Sequence, residues 1–117
     1  MSFELIRNGE TKTRVLPDGV RRSILSCDSD VTLSLMRSDA LESLDSTHSH
    51  MHRQIVYILR GSGIFRIGEE TREVSAGDCI TIEADAPHTF IHFSEYTEWL
   101  EFFAPGRSDL APEFVRE

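Results

Sequence analysis

Short apolar runs with period-two alternation recur through most of this chain, and most are closed by a turn signal. Val31-Thr32-Leu33-Ser34-Leu35-Met36 alternates, which puts Val31, Leu33 and Leu35 on one face of a strand. Residues 20–26 read as another strand, with Arg21 and Arg22 near its start, and residues 3–6 as a short edge strand. Residues 54–59 are rich in β-branched and aromatic side chains and predict a central strand. Ile64-Phe65-Arg66-Ile67, then Gly68-Glu69-Glu70, then Thr71-Arg72-Glu73-Val74 predicts a hairpin. Further strands are expected at residues 79–82, 89–93 and 98–103, separated by Asp85-Ala86-Pro87 and by a polar turn at residues 94–97. Residues 37–47 are the least strand-like and read as a loop, with room for a short helical turn at 40–44. The tail from Pro105, with Pro, Gly and charge, is expected on the surface.

Many short strands with Gly or Pro punctuation and almost no helix argue an all-β sandwich or barrel whose mouth is a natural ligand site. The length of 117 residues suits one domain, spanning the whole of residues 1–117. The net charge of -8 comes with no basic stripe, so no nucleic-acid partner is expected. No apolar run approaches the length of a membrane span, and the N-terminal residues have no hydrophobic signal core, so a cytoplasmic protein is expected. Cys27 and Cys79 read as reduced, half-buried thiols rather than a disulfide framework.

The chemistry concentrates in His48-Ser49-His50-Met51-His52-Arg53-Gln54, which leads straight into the strand at 54–59, and in Ala86-Pro87-His88, where another strand begins. Alternate residues of an extended chain share a face, so His48 and His50 project together and Gln54 has the same parity. His88 approaches from a different strand. Imidazole nitrogen is the commonest ligand for first-row divalent metals. Three imidazoles and one amide oxygen would form a neutral set, leaving the ion's charge to attract an anionic substrate. Such a set suits manganese, nickel, iron or zinc. His52 shares the parity of the ligands. It is an alternative to Gln54, a group just behind the ligands or a loop residue turned outward, and a non-ligand role is favoured. His92 shares parity with His88 and Phe90, and either looks into the cavity or sits in the core. Tyr57 and Phe90 read as core or pocket wall. Trp99, Glu101 and Phe103 alternate; if that face is inward, one carboxylate sits among aromatics, suited to general acid–base work. The competing reading leaves Glu101 exposed on an edge strand. Arg107, just after Pro105-Gly106, either folds over the mouth or is a solvated surface residue.

These segments resemble the two motifs of the cupin superfamily. In the first, G(X)5HxH(X)3-4E(X)6G, His48, His50, Gln54 and Gly61 fit, with Gln54 in place of the glutamate and Glu42 in place of the opening glycine. In the second, G(X)5PxG(X)2H(X)3N, Gly77 and His88 fit, Glu83 and Asp85 replace the inner proline and glycine, and His92 holds the asparagine position. The resemblance implies a jelly-roll β-barrel with one metal. The His-Ser-His-x-His-x-Gln spelling, Val20-Arg21-Arg22-Ser23-Ile24-Leu25 and the ending Leu100-Glu101-Phe102-Phe103-Ala104-Pro105-Gly106-Arg107 are similar to the small single-domain cupins of the KdgF, or pectin-degradation, family. Members open the ring of 4,5-unsaturated uronates released from pectin or alginate.

That narrower resemblance implies metal ligation by His48, His50, Gln54 and His88, acid–base work by Glu101 where members carry aspartate, and a substrate carboxylate on Arg107. His52, His92, Tyr57, Phe90 and Phe103 complete the expected substrate-binding set. Small barrel cupins often pair through edge strands and swap terminal segments, so a homodimer is expected. Two other readings compete with ring opening. One is a non-catalytic small-molecule binder, and the other is a metal-dependent dioxygenase or lyase on another substrate.

Overall fold

The computed structural model describes residues 2–117. Its strands are β1 (Thr13–Val15), β2 (Arg21–Cys27), β3 (Thr32–Ser38), β4 (Arg53–Arg60), β5 (Ser62–Ile67), β6 (Glu70–Ser75), β7 (Cys79–Ile82), β8 (His88–Phe93) and β9 (Thr97–Ala104), followed by a 3₁₀ segment, Ser108–Glu113. A six-stranded sheet runs β1-β2-β3-β9-β4-β7, and a three-stranded sheet runs β6-β5-β8. The pairings are antiparallel. The result is the expected all-β jelly roll, in which two sheets pack face to face over a shared core.

Alternation decides which side chains enter that core. On β4, Gln54, Val56 and Ile58 are buried while Ile55, Tyr57 and Leu59 are exposed. On β9, Thr97, Trp99 and Phe103 are buried, so the Trp99, Glu101, Phe103 face is the inward one. Phe90, Phe93 and Trp99 pack with ring centroids 4.8 to 5.0 Å apart, Phe93 stacked on Trp99 and Phe90 tilted against both, and fill the middle of the sandwich. Gly61 makes the tight junction between β4 and β5. Its φ is +94°, and a side chain there would collide with the backbone of Tyr96 and Thr97.

Several expectations change. Residues 3–6 form no strand and lie in an exposed N-terminal arm. On β3, Leu33 and Leu35 share one face as expected, and it is the outer one; Thr32, Ser34, Met36 and Ser38 point inward. No helical turn forms at 40–44. The backbone groups of Leu41, Leu44 and His48 bond instead to Phe93, Ile91 and His88, so this segment lines the free edge of β8. The tail is not simply superficial either. Leu110 is buried against Ile24 and Phe103, and the 3₁₀ segment closes that end of the sandwich. Both thiols are free, with Cys27 half-buried and Cys79 exposed.

Candidate metal centre

The irregular edge beside β8 brings the first histidine into place. The amide of His48 donates to the carbonyl of His88 (3.2 Å) and the amide of His88 to the carbonyl of His48 (3.0 Å), which sets the two imidazoles side by side. Their ring centroids are 4.4 Å apart, and His50 lies 4.8 Å from His48 and 5.2 Å from His88. The His50 carbonyl accepts the amide of Asp85, which fixes the next stretch of chain. One ligand nitrogen from each of His48, His50 and His88 falls within 4.8 Å of the others.

The ring tautomers follow from the backbone. Nδ1 of His88 lies 2.8 Å from the Ala86 carbonyl and Nδ1 of His48 lies 2.6 Å from the Ser46 carbonyl, so each Nδ1–H donates and each Nε2 keeps its lone pair. Nε2 of His88 is buried and has no hydrogen-bond partner. A buried nitrogen lone pair without a donor is costly unless something else binds it. Gln54, 1 % exposed, adds its Oε1 at 3.2 Å from Nε2 of His50. Burial, then the positive charge of Arg107 and the neighbouring histidines, lowers the pKa of His50 to about 4. Burial likewise lowers that of His88, against the pull of the Ala86 carbonyl. Those two imidazoles are kept neutral, as metal ligation requires. This donor set fits a divalent metal ion.

His52 stands apart, with its ring 6.2 Å from His50 and against Phe103, and its Nδ1 is buried without a partner. The trio does not include it.

A cavity of about 370 Å³ opens from the histidines. It is lined by His48, His50, Glu101 and Arg107 together with Phe90 and Trp99. The Trp99 indole N–H donates to Oε2 of Glu101 (2.9 Å), holding the carboxylate in place. Arg107 is positioned by the close passage of Gly106 over the Asp28–Val31 turn and by its own amide, which donates to Oγ1 of Thr32 (2.8 Å). Its guanidinium lies 4.9 Å over the Phe103 ring, and Nε and Nη2 donate to the Asp109 carboxylate. The Nη1 edge has no protein acceptor among the described residues. Phe103 itself is buried beneath His50 and Arg107 and supports the site from below.

Of the expected substrate-binding residues, Phe90 lines this cavity, His52 and Phe103 do not, and Tyr57 and His92 are turned away from it. Tyr57 has the opposite parity to Gln54 and faces outward, beside Leu100 and Cys79. His92 is turned away by a bulge at Ile91. Ile64 pairs with His92 and Phe65 with Phe90, so one extra residue reverses the parity after Phe90. Its Nδ1 meets the Glu42 carbonyl instead. Arg22 was missed by sequence reasoning, although its parity with Ile24 was readable. It lines the cavity while Glu113 holds its Nε and Nη2 at 2.9 and 2.7 Å.

The model of the Cupin domain family matches residues 38–103. The chain belongs to the cupin family. The fold of this cupin is shared by solved structures of low sequence identity. KdgF from a Halomonas species is 22% identical with a TM-score of 0.82, covering 93% of this chain and 99% of that one. An RmlC-like cupin from Shewanella frigidimarina is 18% identical with a TM-score of 0.81, covering 94% and 97%. An uncharacterized protein of Streptomyces coelicolor is 27% identical over 95 residues, which is 81% of this cupin and 89% of the relative.

Proposed function

We propose that this cupin holds one divalent transition metal (manganese, nickel, iron or zinc) on His48, His50, Gln54 and His88, and opens the ring of 4,5-unsaturated uronates. The observation that carries the reading is one cavity that joins His48 and His50, two members of the histidine trio, to Glu101 and Arg107. Its volume is within the range of small-molecule sites. The likeness to KdgF in fold and the family resemblance of the sequence support the substrate class.

The bound ion would supply Lewis acidity toward oxygens of an anionic sugar acid. The free edge of Arg107 pairs with the substrate carboxylate. Glu101, oriented by Trp99, takes the proton of the anomeric hydroxyl as the bond from the anomeric carbon to the ring oxygen breaks. The electron pair of the O–H bond forms the aldehyde, and that of the broken C–O bond stays on the former ring oxygen as an enolate. The same proton then passes from Glu101 to C4 as the C5 oxygen becomes a ketone. Atoms and electrons balance, and no oxidant is needed.

The test is optical. Pectin or alginate is digested with a lyase, and the ultraviolet absorbance of the conjugated double bond is followed after adding metal-loaded protein, with a chelated control. Fast, chelator-sensitive loss is expected. Glu101→Gln should retain the metal and lose turnover by about 10²- to 10⁴-fold. Unchanged absorbance with every unsaturated uronate, in protein carrying metal, would replace this reading with a binding function or another metal-dependent reaction. Unchanged turnover in Glu101→Gln would remove Glu101 from the chemistry.

A further inference from the structure

The 3₁₀ segment Ser108–Glu113 holds two arginines in the same way. The Asp109 carboxylate accepts from Nε and Nη2 of Arg107, at 3.2 and 2.6 Å, and the Glu113 carboxylate accepts from Nε and Nη2 of Arg22, at 2.9 and 2.7 Å. Each clamp fixes the plane of a guanidinium and leaves its Nη1 without a protein acceptor among the described residues. The two side chains are only 17% and 15% exposed, and both line the cavity that holds His48, His50 and Glu101. Arg107 has a part in the proposed reaction, and Arg22 has none.

Strand register sets the two arginines at different ends of that cavity. On the inner face of the six-stranded sheet, Thr32, Phe103 and Gln54 form one cross-strand row, Ser34 and Glu101 lie in the next, and Arg22, Met36 and Trp99 in the one after. Arg107 belongs to the first row, where its amide bonds to Thr32 and its guanidinium covers Phe103. Rows on one face are two residues apart, so Arg22 is rooted roughly 13 Å along the sheet from the row of Gln54, a span that its side chain and one sugar ring fill together. The wall between is apolar, with Met36, Phe90 and Trp99. An acceptor joins it. Asp18, in the turn that leads into β2, lines the same cavity. Its carboxylate accepts from the Val20 amide (3.0 Å) and the Ser46 hydroxyl (3.1 Å), which leaves lone pairs open on both oxygens.

A donor and an acceptor on an apolar wall select what can join them. A second carboxylate or a phosphate would meet the charge of Asp18, and an alkyl group would leave Nη1 of Arg22 desolvated and unbonded. A hydroxyl accepts from the one and donates to the other. We propose that Arg22 and Asp18 form a hydroxyl-binding subsite at the end of the cavity away from Gln54, so that the ligand is a sugar acid held at both ends, with its carboxylate on Arg107 and its ring hydroxyls on Arg22 and Asp18. In a 4,5-unsaturated uronate the hydroxyls on C2 and C3 lie on the side of the ring away from the carboxylate-bearing carbon, and these fall to the subsite. The inference rests on the ring-opening reading for the place of the carboxylate, and adds to it a selection against cyclic acids without hydroxyls.

Titration calorimetry of the metal-loaded full chain tests it with two carboxylates that have no double bond to react. Galacturonate carries the hydroxyls, and tetrahydropyran-2-carboxylate has the same ring and carboxylate without them. The wild type is expected to bind galacturonate tighter by at least about tenfold. Arg22→Met, which keeps the apolar stem, should erase that preference and leave the affinity for tetrahydropyran-2-carboxylate unchanged. Arg22→Lys keeps a cation on Glu113 and should do the same, so the test stands if the methionine variant does not fold. Asp18→Asn should weaken galacturonate alone. Wild-type protein that binds neither probe, or both equally, overturns the inference. So does an Arg22 variant that keeps the preference, or one that weakens both probes alike and thereby shows a purely structural arginine. An unchanged Asp18→Asn removes Asp18 from the subsite. The outcome is separate from that of the absorbance assay. Unsaturated uronates consumed by a protein without the preference would leave ring opening standing and the subsite refuted, and the preference without consumption would do the reverse.

Discussion

At the scale of single residues, the centre is built by making histidines neutral and aiming their lone pairs. His88 and His48 each spend one nitrogen on a backbone carbonyl, and the lone pair that remains on His88 meets no protein donor. His50 is kept neutral by burial beside the positive charge of Arg107. That has a consequence for stability. The unfolded chain protonates this imidazole near its ordinary value of 6.5, whereas the folded chain resists until about 4. Between those values the unfolded state binds more protons, so stability rises with pH. The contribution is therefore fully present above 6.5 and lost as the pH falls toward 4. His88, shifted the same way, adds to the slope. In metal-free protein the urea midpoint should fall between pH 7 and pH 5, and His50→Gln should flatten the fall. An equal slope in that variant would mean that His50 is not held neutral by the fold.

At the scale of elements, the 3₁₀ segment does more than close the chain. It seats Leu110 against Ile24 and Phe103, and Phe103 lies beneath His50 and Arg107. Leu110→Ala would leave a cavity there. A loss of about 2–4 kcal/mol in urea unfolding is expected; less than about 1 kcal/mol would show a loosely held tail. This element was hard to read in the sequence, because one leucine between charges and prolines has no period. The strands were legible where alternation was strict, as in the inward placement of Gln54 and of Trp99, Glu101 and Phe103. Parity alone could have turned Tyr57 outward, since it is three residues from Gln54. His92 could not have been placed that way, because the bulge at Ile91 depends on pairing with β5. Nor could the course of residues 41–48, whose hydrogen bonds go to β8, roughly forty to fifty residues further along.

At the scale of the whole molecule, the candidate ligands sit where the two sheets meet. His88 belongs to the three-stranded sheet, His48 to the segment bonded along its edge, and Gln54 to β4 of the six-stranded sheet. An ion held by all of them ties the sheets together in the folded state, and the unfolded chain offers no such site. Binding therefore becomes folding free energy. With free metal at 100 times its dissociation constant, the gain is about 2.7 kcal/mol. In a domain of this size that raises the thermal midpoint by roughly 10 °C. Thermal unfolding of metal-loaded and chelated protein should differ by about that much, with manganese, nickel, iron and zinc compared in turn. His88→Ala should abolish the difference, because it removes the ligand that anchors the three-stranded sheet. If the wild-type midpoint does not move with any of these ions, the histidine trio is not a metal site. If His88→Ala responds as strongly as the wild type, the ion binds elsewhere and does not join the sheets.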